Sequence, residues 1–188
     1  MLNKSRAFKY QTATLPTLAQ IIGYCRNRVS TRLKLYRWLV FNLLVANGDN
    51  HLKNLSFLAS AEGIELAPSY DLLSTGSYHT RAFANEHADW PATHLAIPLP
   101  GAPTFAQVNR NSVLSAAEAL GLPRRVGERE LDRLTRNLPD ALSILVQRVE
   151  AENADCPEPA RVFLSGEGRL LSTVQHLIVP DMLLRVKE

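Results

Sequence analysis

Apolar positions along the chain recur first at helical spacing. From Thr14 the run Leu15, Leu18, Ile21, Ile22 and Cys25 falls on one helix face, and Pro16 is acceptable in a first turn. Ser30 then reads as the N-cap of a longer helix reaching about Ala46. Within it Leu33, Leu35, Tyr36, Trp38, Leu39, Val40, Phe41, Leu43, Leu44 and Val45 set apolar groups almost all the way round. That is the pattern of a helix buried on most sides, so it is predicted to be the spine of the domain, with Tyr36, Trp38 and Phe41 as core aromatics. Asn47-Gly48 reads as the C-terminal cap pair that ends it.

The pattern then changes period. Leu55 to Ala59 and Ile64 to Ala67 are short apolar segments separated by Ser60-Ala61-Glu62-Gly63, which predicts a β-hairpin closed by Pro68. Residues 74–110 are rich in Gly, Pro, Thr and His with little periodicity, the mark of a functional loop or a disordered one. Helical spacing returns at about Asn111 to Leu120, Glu128 to Leu138 and Pro139 to about Glu152, breaks at Pro157 and Pro159, and resumes between Arg169 and the end. The alternation of Arg124 to Arg136 with Glu128, Glu130 and Asp132 reads as a solvated, charge-paired helix face. Residues 1–13 carry no period and read as a disordered or truncated lead-in, leaving 14–188 as the domain. The expected fold is mainly α (α+β), with one hairpin after a central buried helix.

Composition adds limits. With 188 residues, 46% hydrophobic and 21% charged, the chain suits one packed domain or a large half of a two-lobed one. A net charge of +3 is too mild to argue direct nucleic-acid binding from the total, although Lys4, Arg6, Lys9, Arg26, Arg28, Arg32, Lys34 and Arg37 all precede the first acidic residue, Asp49. Cys25 and Cys156 form no paired motif and suit a reducing cytoplasm. Lys4, Arg6 and Lys9 interrupt any signal-peptide pattern, and the longest apolar run, Trp38 to Ala46, is far short of the ~20 residues that span a bilayer. No membrane partner is expected. His79, Glu86, His87, Asp89 and His94 gather in one segment, but their spacings match no standard zinc arrangement.

The polar density just after the spine carries the chemistry: Asn47, Gly48, Asp49, Asn50, His51, Lys53 and Asn54. Asp49 and Asn54 stand five apart, the interval between the catalytic Asp and the metal-holding Asn of kinase catalytic loops. The hairpin arms are nearly equal, so Tyr70-Asp71 should return close to Asn54 and let Asp71 share a magnesium ion with it. Asp49 would orient the attacking hydroxyl and accept its proton. Lys53 would stabilise charge on the transferred phosphoryl group. His51 would hydrogen-bond the loop, with contact to a phosphate as the second option.

The string Asn47-Gly48-Asp49-Asn50-His51-Leu52-Lys53-Asn54-Leu55-Ser56-Phe57-Leu58, followed by Leu66-Ala67-Pro68-Ser69-Tyr70-Asp71-Leu72-Leu73-Ser74, resembles the carboxy-terminal domain of HipA-like serine/threonine kinases, the toxins of type II toxin–antitoxin systems. Looser likeness runs through His94-Leu95-Ala96-Ile97 and Ala116-Ala117-Glu118-Ala119-Leu120-Gly121-Leu122. The resemblance implies a protein-kinase-like helical lobe and Mg²⁺- and ATP-dependent phosphorylation of a protein Ser or Thr, with targets in the translation machinery. It also implies a DNA-binding antitoxin of HipB type as partner. Members usually carry a Gly-Gly-Lys-like turn where Pro98-Leu99-Pro100-Gly101-Ala102-Pro103 stands here, and they grip ATP with an amino-terminal lobe for which residues 1–13 offer no counterpart. The expectation is therefore a catalytic lobe that binds ATP weakly or not at all without that partner lobe. A non-catalytic lobe kept as an interaction module, and a small-molecule phosphotransferase, remain as alternatives.

Overall fold

A computed structural model describes residues 13–154 and 156–187. The lead-in expected over residues 1–13, with Lys4, Arg6 and Lys9, lies outside them except for Ala13, which is buried in the core. Helix α1 (Leu15–Ile22) starts as its sequence suggests: the Thr14 hydroxyl accepts from Thr17 N–H at 3.3 Å, and Pro16 sits in the first turn. Helix α2 (Arg28–Leu44) is the spine, with Leu35, Tyr36, Trp38, Leu39, Val40, Leu43 and Leu44 buried. Its cap is Asn27 rather than Ser30. The Asn27 side chain accepts from Ser30 N–H at 2.9 Å, so the helix begins earlier and Ser30 lies inside its first turn. Phe41 is half-buried rather than fully in the core.

The spine also ends differently from the expectation. Ala46, at φ 54, takes the left-handed position, not Gly48. Ala46 N–H reaches Leu43 C=O and Asn47 N–H reaches Asn42 C=O, the paired bonds of a Schellman ending. Ala46 is fully buried, and packing keeps a methyl where conformation alone favours glycine.

Strands β1 (Phe57–Ser60) and β2 (Gly63–Leu66) form the expected hairpin, antiparallel, pairing Phe57 with Leu66 and Ser60 with Gly63. Leu55 is outside the strand and buried in the core. Residues 74–110 are not a structureless loop. They contain a 3₁₀ turn at Thr75–His79, a one-turn helix α3 (Arg81–Ala84) and a second hairpin, β3 (His94–Leu99) with β4 (Ala102–Thr104). Leu95, Ile97 and Leu99 alternate inward and are buried, as is Phe105 beyond them. Their period of two was readable, but Pro98 and Pro100 obscured it.

Helix α4 (Arg110–Ala119) opens with a reciprocal capping box between Asn109 and Ser112. The two helices expected over 128–152 are one continuous helix, α5 (Arg124–Ala154), with Pro139 inside it. Pro139 is exposed, where water can replace the helix bond it forfeits. Gly127 lets α5 approach α4: a Cβ there would lie 2.7 Å from that of Ala117. The final stretch starts sooner than expected, as α6 (Glu158–Thr173), a π turn (Val174–Ile178) and α7 (Val179–Arg185), which returns against α2. The α5 charges are not uniformly solvated. Glu130 is 3% exposed and meets Arg37 of the spine at 2.8 Å and Arg133 at 3.1 Å. The architecture is mainly helical, with small antiparallel hairpins around one spine. No described helix is long and apolar enough to cross a membrane.

Candidate functional site

Every expected site residue lies on the two chain segments that bracket the first hairpin. The chain leaves the spine through residues 46–54, runs out and back, and returns through 67–76. A 3₁₀ turn, Leu52–Asn54, anchors the outgoing arm with Leu52 and Asn54 buried. On the return, the Tyr70 hydroxyl donates to Lys53 C=O at 2.8 Å and lies 2.8 Å from Ser56 Oγ. This clasp closes the hairpin base next to the two residues expected to share an ion. Asn54 Nδ2 donates to Asp71 Oδ2 at 2.6 Å. Asp71 is held at φ 56, a left-handed conformation that Asp tolerates better than most residues.

Asp49 sits a short way along the loop, its side chain 39% exposed, with His51 Nε2 3.7 Å from its Oδ1. His51 itself is buried. Asp49 lines a cleft of about 570 Å³ together with Thr75, His79, Asp89, Thr93 and His94. His79 Nδ1 and Asp89 Oδ1 meet at 2.7 Å on its wall. A second groove of about 570 Å³, more apolar, runs between α2 and the hairpin past Trp38, Phe41, Leu66 and Leu72. It contains none of the expected site residues. Lys53 is exposed, and the contact the structure gives it is through its carbonyl.

Sequence reading missed the residues that hold these loops in register. Asn47, 3% exposed, accepts from Asp49 N–H at 3.1 Å through its side-chain oxygen. Its amide donates to Asn42 Oδ1 at 2.8 Å and to Asp71 C=O at 3.4 Å. Thr75 Oγ1 accepts from Gly48 N–H at 2.6 Å, and Gly76 N–H donates to Ala46 C=O at 2.8 Å. Gly76 is required by contact: a Cβ would lie 2.6 Å from that of Ala46 and 2.8 Å from the Trp90 ring. The available signal was Asn42, a buried amide inside an otherwise apolar helix, which needs a partner.

The donor set suits a hard cation. With Asn54 Nδ2 turned to Asp71, the Asn54 carbonyl oxygen and the second Asp71 oxygen remain as ligands of the kind Mg²⁺ takes. Among the described residues no group of three or more His, Cys, Asp or Glu could hold a metal ion. A two-residue oxygen set matches the way Mg²⁺ is commonly bound, through one or two protein ligands with waters and substrate phosphates completing the shell.

Comparison with known proteins gives a consistent family. The family model of the HipA-like C-terminal domain matches residues 1–142. The serine/threonine-protein kinase toxin HipA of Shewanella oneidensis is 31% identical over 129 residues, which are 69% of this chain and 28% of that protein. Y4mE of Sinorhizobium fredii is 32% identical over 152 residues, 78% of this chain and 33% of that protein. The chain thus spans about a third or less of the length of these relatives. Among solved structures, HipA in the Shewanella oneidensis complex of HipA, HipB and operator DNA superposes with a TM-score of 0.70 at 23% identity, covering 96% of this chain and 38% of that one.

Proposed function

The chain belongs to the HipA-like C-terminal domain family, and from that premise we propose that it is the catalytic lobe of a toxin kinase. The reaction is transfer of a phosphoryl group from Mg-ATP to a Ser or Thr of a protein, and the setting is a toxin–antitoxin system in the cytoplasm. The observation that carries this reading is the Asn54–Asp71 contact at 2.6 Å, made between loops that Asn47 ties to Asp49. Asn54 and Asp71 hold the cation. Mg²⁺, when bound, neutralises the nucleotide phosphates. Asp49, half-exposed at a cleft, orients the acceptor hydroxyl and takes its proton. His51 braces the loop from inside. Lys53, exposed beside Asn54, reaches the transferred phosphoryl group.

Partners follow from the same reading. An amino-terminal lobe of the kind that grips ATP completes the nucleotide cleft, since positioning dominates catalysis in phosphoryl transfer; alone, the 188-residue chain binds Mg-ATP weakly or not at all. The regulator is a DNA-binding antitoxin of HipB type, and the substrate is a protein of the translation machinery.

The test uses the chain joined to the portion of a HipA kinase that it does not span, assayed for transfer of labelled γ-phosphate. Asp49→Asn is expected to lower turnover by about 10² to 10⁴ while Mg-ATP binding stays nearly unchanged. Asp71→Asn is expected to weaken Mg²⁺-dependent nucleotide binding as well, because a metal ligand acts in ground and transition states alike. Full activity in Asp49→Asn would defeat the reading and favour the non-catalytic interaction module.

A further inference from the structure

We propose that Asn47 is the positioning residue of this site: its side-chain amide fixes the Asp49 loop to the Asp71 loop, so that the two carboxylates keep one relative placement. The inference rests on the kinase reading above and assigns Asn47 no contact with substrate or ion.

The geometry singles this residue out. Gly76 N–H to Ala46 C=O at 2.8 Å and Gly48 N–H to Thr75 Oγ1 at 2.6 Å also join the two loops, but neither touches an acidic residue. Asn47 touches both. Its oxygen accepts from Asp49 N–H at 3.1 Å, and its nitrogen donates one hydrogen to Asp71 C=O at 3.4 Å. The other hydrogen goes to Asn42 Oδ1 at 2.8 Å, and Asn42 in turn donates to Trp38 C=O at 2.8 Å, deep in the spine. The link is therefore tied to the buried spine helix. Asn47 is 3% exposed. A buried amide with its donors and acceptor satisfied is stiff, and each group left unpaired is costly.

A simple filler would not need these bonds. An apolar side chain could occupy the space, but it would leave Asp49 N–H and Asp71 C=O without this shared partner. The functional demand is clear from the reaction: misplacement of a reacting group by about 1 Å can cost on the order of 10²-fold in rate. Asn54 holds the Asp71 carboxylate and the Gly48 and Gly76 bonds join the arms, and Asn47 adds the side chain that bonds the backbones of Asp49 and Asp71 together.

The test is a titration of the ¹⁵N-labelled 188-residue chain with Mn²⁺, read as paramagnetic broadening of backbone amides. In the unaltered chain, one ion should broaden Asn54, Asp71 and Asp49 together. Asn47→Asp keeps an acceptor for Asp49 N–H and removes the donors to Asp71 C=O and Asn42 Oδ1. It should raise the Mn²⁺ needed to broaden Asn54 and Asp71 by about 10-fold, the low end of the usual effect of outer-shell partners, and change the broadening at Asp49 relative to theirs. Amides at Gly48 and Gly76 should exchange faster with solvent, while those of Leu39 and Val40 stay protected. Asn47→Ala removes the donors and the acceptor together, without adding charge, and decides the matter if the aspartate variant does not fold. A variant that merely lost stability would show the unaltered broadening pattern in its folded molecules, and that result overturns the proposal. An unaltered chain in which Mn²⁺ broadens neither Asn54 nor Asp71 overturns the metal reading itself, and the positioning role falls with it.

Discussion

The hairpins β1–β2 and β3–β4 are both antiparallel pairs with two residues at the tip, Ala61-Glu62 in one and Pro100-Gly101 in the other. They are stabilised in opposite ways. The second buries Leu95, Ile97, Leu99 and Ala102 and packs on α1 and α4. The first leaves Leu58, Ala59 and Ser60 exposed and sends only Leu66 fully inward. A lone two-stranded hairpin is marginal in water, so the first is held at its ends. Leu55 and Tyr70 secure the base, and Arg26 reaches both Glu62 and Glu65 near the tip, with Arg26 N–H donating to Ile64 C=O at 2.9 Å. The buried hairpin contributes a row of side chains to the core; the exposed one gives it little beyond Leu66 and fixes where Asn54 and Asp71 meet.

The sharpest way to break this contrast is to truncate one apolar side chain in each. Ile97 is 3% exposed, and Ile97→Ala should lower stability by about 3 kcal/mol, through lost transfer energy and the cavity left behind. Leu58 is 60% exposed, and Leu58→Ala should change stability by less than about 0.5 kcal/mol. Urea unfolding of the two variants gives both numbers. Equal losses would mean that the first hairpin is also part of the core.

The same contrast explains what the sequence could and could not reveal. The spine was legible because its apolar residues surround the helix, and the first hairpin because its arms flank a Gly-containing turn. The Asn54–Asp71 contact was legible from the equal arms that flank the turn. The second hairpin was hidden because Pro98 and Pro100 signal a loop, although burial of Leu95, Ile97 and Leu99 outweighs that local preference. Pro139 misled in the same manner, since an exposed helix interior tolerates it. Asn47 and Thr75 act through bonds spanning 24 and 27 residues, and no short-range pattern encodes those.

A middle-sized effect is expected on the bundle side of the spine. The Arg37 guanidinium hydrogen-bonded to Glu130 holds that carboxyl below its usual range, with burial opposing and Arg133 assisting. A depressed carboxylate contributes stability that is fully present above the ordinary Glu pKa of about 4.3 and is lost as pH falls through the folded-state value. Glu130→Gln should therefore destabilise the chain at neutral pH by about 2 kcal/mol, the scale of a hydrogen bond to a charged group. It should also flatten the acid limb of a Tm-versus-pH series. An acid limb as steep as the unaltered chain's would show that other carboxylates govern it.

A smaller effect than that of Glu130→Gln should come from the clasp at the base of the exposed hairpin. Tyr70 is 42% exposed, and its hydroxyl serves Lys53 C=O and Ser56 at 2.8 Å each. Tyr70→Phe keeps the ring and removes both bonds. Because the site is open to water, which can replace the lost partners, global stability should fall by no more than about 1 kcal/mol. The local consequence is larger than the global one. Lys53 and Tyr70 are the immediate neighbours of Asn54 and Asp71, so releasing them lets the two arms separate where Asn54 and Asp71 face each other. Hydrogen exchange at Asn54 N–H, bonded to His51 C=O at 3.0 Å, should speed up while Ile97 and Leu99 stay protected. If Tyr70→Phe instead lowered the urea midpoint as far as Ile97→Ala does, the exposed hairpin would be a structural pillar of the fold, and the division of labour between the two hairpins would be wrong.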